Sequence, residues 1–306
     1  MTGTEQKKFV RSPFFYVGDK HKLLPQITPL FPKAYDRIIE PFVGGGSVFL
    51  NTPVHEVLAN DIDSNVIDIH NLLYSQGDKM NQFISNLIDI IRSYDLSCSF
   101  MGDLVSEEIR VKFPKTYFAQ RNRQGFTKLK ENYNLSGSKE TTLLYLLMIY
   151  GFNRMLRFNK KGQFNIPVGN VDFNSNVVSA LLSYSKMTIG RNILFKSLDF
   201  YEFIESIEFR TSDFVYVDPP YLITGSEYNK NWNDDSERRL YNLLDQLDQK
   251  GIRFALSNVE IYGNRSNIIL EEWMKKYRVS VITSNYINYF DNKKKALKEV
   301  LVYNYE

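Results

Sequence analysis

The sequence predicts an α/β protein whose open sheet is assembled from both ends of the chain and interrupted by a basic, mostly helical insertion. Three observations carry this. In residues 37–61 an apolar run, a glycine turn, the start of a helix and a second apolar run ending on an acid follow one another, the rhythm of a nucleotide-binding α/β half. Further on, the apolar run Phe214-Val215-Tyr216-Val217 is stopped abruptly by Asp218-Pro219-Pro220-Tyr221. Between these segments the texture turns polar and basic from about residue 74 to 172. The expected division is therefore 1–73 with 173–306 for the sheet, and 74–172 for the insertion.

Each element has its own warrant. Residues 23–31 read as a helix and Arg37-Ile38-Ile39-Glu40 as the first strand. Pro41-Phe42-Val43-Gly44-Gly45-Gly46-Ser47 is a glycine turn that lets backbone approach a ligand closely, with a helix amino terminus after it. Its spacing misses the dinucleotide fingerprint, since position 49 is Phe, and no P-loop lysine follows, which disfavours a triphosphate. Glu56-Val57-Leu58-Ala59-Asn60-Asp61 is the second strand, and Asp61 is placed either to accept two ribose hydroxyls or to cap the next helix. Glu40, the glycine turn and Asp61 in series point to a nucleoside-type ligand. Upstream, Tyr16-Val17-Gly18-Asp19-Lys20 is a second glycine turn, its Lys20 facing a ligand carboxylate or solvent.

The insertion mixes helical patterns with Arg121-Asn122-Arg123-Gln124 and Lys128-Leu129-Lys130, then an apolar helix at 141–152. Two strand-like pieces flank Lys160-Lys161-Gly162, a β-hairpin signal. A helix at 178–188 and a strand from Asn192 to Phe195 resume the α/β rhythm. Asp199 ends that segment, to receive an adenine amine or to cap the helix after it.

The chemistry concentrates at Asp218-Pro219-Pro220-Tyr221. Neither proline offers an N–H and both have fixed φ, so a rigid turn forms at a strand's carboxyl end, where open α/β sheets place ligands. It displays a carboxylate, carbonyls without ladder partners and an aromatic ring. That set suits a planar aromatic amine: acid and carbonyl accept both amine hydrogens, drawing the nitrogen lone pair out of conjugation, while Tyr221 stacks on the ring. The competing reading is an ordinary Asp-Pro surface turn.

Composition sets limits. With 306 residues, 43% hydrophobic and 24% charged, the chain is an ordinary globular one with ample core. Its net charge of +3 is compatible with a polyanionic partner. The single cysteine, Cys98, excludes an intrachain disulfide and fits a reducing cytoplasm. His21, His55 and His70 are scattered, so no metal site is expected. The run from Leu143 to Tyr150 is too short to span a bilayer, and no signal peptide is visible. A soluble, cytoplasmic protein without membrane contact is expected.

Taken together these motifs resemble the DNA adenine-N6 methyltransferases of the Dam type, the D12 class or α-group, in order and over most of the chain. Tyr16 to Lys20 looks like their amino-terminal cofactor motif, Glu40 to Phe49 like their methionine-binding loop, and Asn60-Asp61 with Ile62 like their ribose-binding segment. Asp218 to Tyr221 is similar to their catalytic motif. Tyr150-Gly151-Phe152-Asn153, Arg157-Phe158-Asn159 and Gly162-Gln163-Phe164-Asn165-Ile166-Pro167 look like their target-recognition hairpin.

The resemblance implies a Rossmann-like S-adenosyl-L-methionine-dependent methyltransferase sheet carrying a DNA target-recognition domain. It implies catalytic roles for Asp218, Pro219, Pro220 and Tyr221. Cofactor contacts are implied for Tyr16, Gly18, Lys20, Glu40, Pro41, Phe42, Gly44, Gly46, Ser47, Asp61, Ile62, Asp199 and Asp218. It also implies that the target adenine is flipped out of the duplex. Arg157 then pairs with a guanine edge or clamps a phosphate, and Phe152 and Asn153 brace the gap unless Phe152 is core. The resemblance places Met155 and Pro167 near base edges or thymine methyls, Pro167 with the alternative of a strand-end stop, counts Asn159 among the DNA contacts, and brings Lys160, Lys161, Arg121 and Arg123 to phosphates. The loop from Tyr228 to Trp232 folds over the flipped base or is an ordinary loop.

Many relatives carry Trp and Gly-Gly where this chain has Tyr16 and Gly18-Asp19, and some carry a basic residue where it has Phe15. The implied target is GATC or a longer GAT-containing site. Double-stranded DNA and a companion restriction endonuclease are the implied partners, and the implied state is a monomer or weak dimer. Three other readings compete: methylation of an RNA base or protein amide, a nicotinamide-dependent oxidoreductase, and a DNA-binding protein without catalysis. The second leaves the Asp-Pro-Pro-Tyr turn unexplained, and the intact Asp218 and Tyr221 speak against the third.

Overall fold

The computed structural model describes residues 8–15, 18–137, 140–224, 232–283 and 297–306. They pack as two compact units, one formed from 22–43, 52–62 and 191–306, the other from the described residues of 1–21, 44–51 and 63–190.

The first unit is built on a sheet of β1 (Arg37–Glu40), β2 (Glu56–Asn60), β3 (Asn192–Lys196), β4 (Asp213–Val217), β5 (Arg253–Tyr262), β6 (Arg265–Ser266), β7 (Arg278–Ile282) and β8 (Leu297–Tyr303). The order is β3-β2-β1-β4-β5-β8-β7, with β6 beside β5. The strands β3 to β5 of that path are parallel, while β8 runs antiparallel to both β5 and β7. This is a mixed, mostly parallel sheet, as the expected Rossmann-like fold requires. The strand order reverses between β1 and β4, the place where such sheets bind ligands.

Both central strands are buried at every residue, as parallel strands covered on two faces must be. β3, at the edge, alternates exposed and buried residues. Ile39, Val215, Val217, Leu240, Leu244, Phe254, Leu256, Leu270, Trp273 and Val300 share one core. The β1–β4 register opposes Arg37 to Asp213. The buried Arg37 guanidinium donates from Nε to Oδ1 at 2.9 Å and from NH2 to Oδ2 at 2.6 Å, and the Arg210 amide adds a third bond to that carboxylate at 2.8 Å.

The second unit is mainly helical: Ser64–Gln76, Met80–Ser93, Tyr117–Leu135, Thr141–Tyr150 and Ser175–Thr188. Thr141–Tyr150 is buried continuously from Leu144, so it is the central helix of the unit. It stops two residues sooner than the expected 152, because Gly151 is extended and Asn153 left-handed. Ser175–Thr188 begins three residues ahead of the expected 178, because the Asn174 side chain caps the amides of Asn176 and Val177. Residues 23–31 form a four-residue helix, Leu24–Ile27, followed by a 3-10 turn, Thr28–Leu30. Pro25 and Pro29 in that stretch lack the N–H groups a longer ladder needs.

The chain reverses at Lys160-Lys161-Gly162 as expected. The Asn159 amide donates to the Gln163 carbonyl at 2.8 Å and the Asn165 amide to the Arg157 carbonyl at 3.1 Å. Among the described residues its arms are joined by isolated bridges, Phe158–Phe164 and, further out, Gly151–Val168, so the hairpin is turn-dominated. Helices Ser64–Gln76 and Ser175–Thr188, read from the sequence as part of the sheet domain, fall in the helical unit. Among the described residues no helix is long and apolar enough to cross a membrane.

Candidate active site

In the sheet unit the chain leaves β4 at Val217 and turns at Asp218-Pro219-Pro220, with Pro219 buried. Tyr221 curls back so that its hydroxyl faces two carboxylates, Asp218 Oδ1 at 3.0 Å and Glu299 Oε1 at 3.1 Å. One phenolic proton is therefore shared between two acids. Glu299 lies on β8 and is 1% exposed.

Beside them the buried Tyr216 hydroxyl meets Ser257 Oγ at 2.8 Å. Burial drives the Tyr216 pKa well up, and the charges of Asp218, Glu40 and Glu299 push the same way against the hydrogen bond from Ser257. Tyr35 is pushed up to about 12 by burial and then by Glu40, with Arg191 opposing. Glu40, Asp218 and Glu299 thus gather negative potential around one ring where the strand order reverses. Such a site favours a ligand bearing amine hydrogens or positive charge.

Glu40 ends β1 and is buried. The Pro41 and Phe42 segment after it is pinned by Asn60. That side chain donates to the Pro41 carbonyl at 3.0 Å and the Leu198 carbonyl at 2.9 Å, and accepts from the Leu198 amide at 2.9 Å. Asp61 follows β2. The cap of helix Ser64–Gln76 is Asp63, so the helix-cap alternative for Asp61 does not apply. Ile62 is exposed. Asp199 is engaged by the protein: its carboxylate caps helix Phe200–Glu205 and pairs with Arg239 at 2.8 Å. The capping alternative is the geometry seen for it.

Phe42 and Phe200 pack at 5.3 Å, and Trp232 meets them at 5.7 and 5.6 Å. The Trp232 indole N–H donates to Glu237 Oε2 at 2.6 Å, and Asn258, Asn267 and Tyr241 also donate to that buried carboxylate. Tyr16 and positions 228–231 of the aromatic loop lie outside the described residues.

In the helical unit the glycine turn is held by its own carbonyls. Ser12 Oγ donates to the Gly45 carbonyl, and His70 Nε2 lies 2.9 Å from the Gly44 carbonyl. A carbonyl only accepts, so Nε2 carries the proton and Nδ1 accepts from the Tyr184 hydroxyl at 3.1 Å. Burial holds the His70 pKa down at about 4, against a raising contribution from the Gly44 bond, so the ring is neutral near pH 7. Gly46 has φ +74°, and a Cβ there would lie 2.3 Å from the Phe49 ring. Ser47 Oγ is buried without a hydrogen-bond partner among the described residues. Gly18 has φ +85°, and the buried Lys20 reaches its carbonyl at 3.4 Å.

The DNA-contact candidates of that unit divide by surroundings. Phe152 is 47% exposed, which removes the core alternative. Asn153, Lys160, Lys161, Arg123 and Pro167 are exposed and Met155 is half-buried. The exposed Arg157 is braced across the hairpin, Nε to Asn165 Oδ1 at 2.9 Å. Asn159 builds the turn, its Oδ1 accepting the Lys161 and Gln163 amides at 2.9 and 3.1 Å. Arg121 is paired with Asp95 at 2.6 Å.

Sequence reasoning missed Ser12, Asn60, Glu237, His70 and Glu299 as supports. Asn60, polar at the end of an apolar strand next to Asp61, carried a readable signal. Ser12, His70 and Glu299 become visible only through partners distant in sequence, and Glu237 through Asn258 and Asn267 as well as its neighbours Trp232 and Tyr241.

A family model, D12 class N6 adenine-specific DNA methyltransferase, matches residues 16–288. The chain is similar to Type II methyltransferase M.FokI of Planomicrobium okeanokoites, 33% identical over 97% of this chain and 43% of that protein. It is equally similar to Modification methylase StsI of Streptococcus sanguinis, 33% identical over 98% of this chain and 44% of that protein. DNA adenine methylase of Escherichia coli K12 is 23% identical over 87% of this chain and 85% of its own length. The chain thus spans less than half the length of the first two relatives and most of the third. With this match over most of its residues, the chain belongs to the D12 class of N6 adenine-specific DNA methyltransferases.

Proposed function

We propose that this chain transfers a methyl group from S-adenosyl-L-methionine to adenine N6 in duplex DNA, at GATC or a GAT-containing site, after flipping the adenine out of the helix. The observation that supports it best is the Asp218–Tyr221 turn at the reversal between β1 and β4, hydrogen-bonded to itself and to Glu299. The residues suit the cofactor: Ser47 Oγ is a buried hydroxyl without a partner among the described residues, Gly46 excludes a side chain, and the acids Glu40 and Asp61 end β1 and follow β2. Glu40, Phe42, Asp61 and Asp218 are the candidates of the sheet unit to hold it, and the turn at Gly44 to Ser47, Tyr16, Gly18, Lys20, Pro41 and Ile62 come from the matching motifs.

When bound, the sulfonium supplies an electrophilic methyl. Asp218 and the Pro219 carbonyl accept the adenine amine hydrogens and turn the nitrogen lone pair toward that methyl, while Tyr221 packs on the base. The displacement disperses charge and needs little acid–base machinery, so positioning supplies much of the rate. Asp199 is left out of this set because Arg239 and a helix amide already occupy it. Phe152, Asn153, Met155, Arg157 and Pro167 read or brace the bases, and Lys160, Lys161 and Arg123 contact phosphates. A companion restriction endonuclease and a place in the cytoplasm belong to this reading.

The test is transfer of labelled methyl to duplex DNA, with digestion to nucleosides and mapping of modified sites. N6-methyladenine at one short motif is expected. Asp218→Ala abolishes it, at least 1,000-fold, while DNA binding stays within a few-fold. Activity on RNA or protein and none on DNA overturns the reading.

A further inference from the structure

Two guanidinium groups of the helical unit share one aromatic ring. Arg154 lies over Phe15 at 3.9 Å from the ring centroid, and Arg11 lies at 4.6 Å. Neither has a carboxylate partner among the described residues, although like charges on one ring repel. Arg154 Nη1 is buried with no hydrogen-bond partner among the described residues. Burial pulls the Arg154 pKa down to about 10, and Arg11 pulls with it against Tyr145 and Asp172.

The backbone is unusual at the same place. Four non-glycine residues among those described have positive φ, and Phe15, Asn153 and Arg154 are three of them, at +49°, +53° and +53°. Left-handed backbone at side-chain-bearing residues is strained and gathers where function requires a particular geometry. A desolvated cation, held over a ring and supported by strained backbone, has no carboxylate partner among the described residues.

We propose that Arg154 is a specificity-determining residue that presents its guanidinium edge to the O6 and N7 acceptors of a guanine in the recognised sequence, with Phe15 setting its plane. This rests on the DNA-methylating function proposed above. Phosphates are met adequately by exposed cations such as Lys160. A half-buried guanidinium locked by stacking suits directional recognition of paired acceptors. Arg154 adjoins the exposed Phe152-Asn153 turn and precedes Arg157 by three residues, so it lies on the segment already assigned to the DNA.

The experiment compares wild type, Arg154→Gly, Arg154→Lys and Phe15→Ala on a duplex library randomised around the methylated adenine, sequencing the modified sites. Glycine accepts φ +53° without strain, which offsets its greater freedom in the unfolded chain, so the melting temperature of Arg154→Gly is expected to stay close to that of wild type. It should lose tenfold or more of the preference for guanine at one position, while the other positions keep theirs. Phe15→Ala should relax the same position, and lysine should restore the preference only in part. An unchanged preference, or a uniform loss over all sequences with a shallower salt dependence, overturns the inference and makes Arg154 structural or a phosphate contact. Wild type that methylates no DNA overturns the functional reading and this inference with it; active wild type with unaltered variants overturns this inference alone.

Discussion

A neutral imidazole holds the glycine turn. His70 donates to Gly44 only from Nε2 and accepts from Tyr184 only while Nδ1 lacks a proton. Its folded pKa is depressed to about 4 from 6.5, so its contribution is intact above pH 6.5 and is lost as pH falls through 4. A shift of that size corresponds to about 3 kcal/mol. In His70→Gln the fall of the urea midpoint between pH 6.5 and 4 should be shallower than in wild type, from a lower starting stability. An identical slope would show that His70 does not carry the acid sensitivity.

Among the elements, the ends of β1 and β2 depend on one side chain. Asn60→Ala removes three hydrogen bonds and leaves the Pro41 and Leu198 carbonyls and the Leu198 amide without that partner. A loss of about 2–4 kcal/mol is expected on urea denaturation, with KM for S-adenosyl-L-methionine raised more than kcat falls. The hairpin makes a different prediction. Lys160→Ala and Lys161→Ala should each lower the slope of log binding constant against log salt by about 0.9, without altering the site methylated. A changed target sequence would instead place these lysines on bases.

Elements whose cause lies in local sequence were legible. The prolines after β4, the apolar runs and the hairpin turn each act through their own residues, and β1 was read to the residue. What stayed hidden is pairing at long range. Glu299 is 78 residues from Tyr221, and Arg154 meets Phe15 across 139 positions; no periodicity encodes such meetings. Asp199 shows the converse, because an acid after a strand has the same local signature as cap or as ligand group, and Arg239 decides between them.

For the whole molecule, the match to relatives twice its length says that a chain of this size corresponds to one half of M.FokI or StsI and to most of the Escherichia coli enzyme. The buried Arg37–Asp213 pair, remote in chemistry from any methyl group, has a consequence for that chemistry. Two smooth apolar strands, brought together from 176 positions apart, could slide against each other with little change in hydrophobic burial. A slip of one residue would turn Asp218 to the opposite face of the sheet, because side chains alternate. The bidentate ion pair at the far end acts as a vernier stop: it permits one alignment, and by permitting only that one it aims an acid five residues downstream.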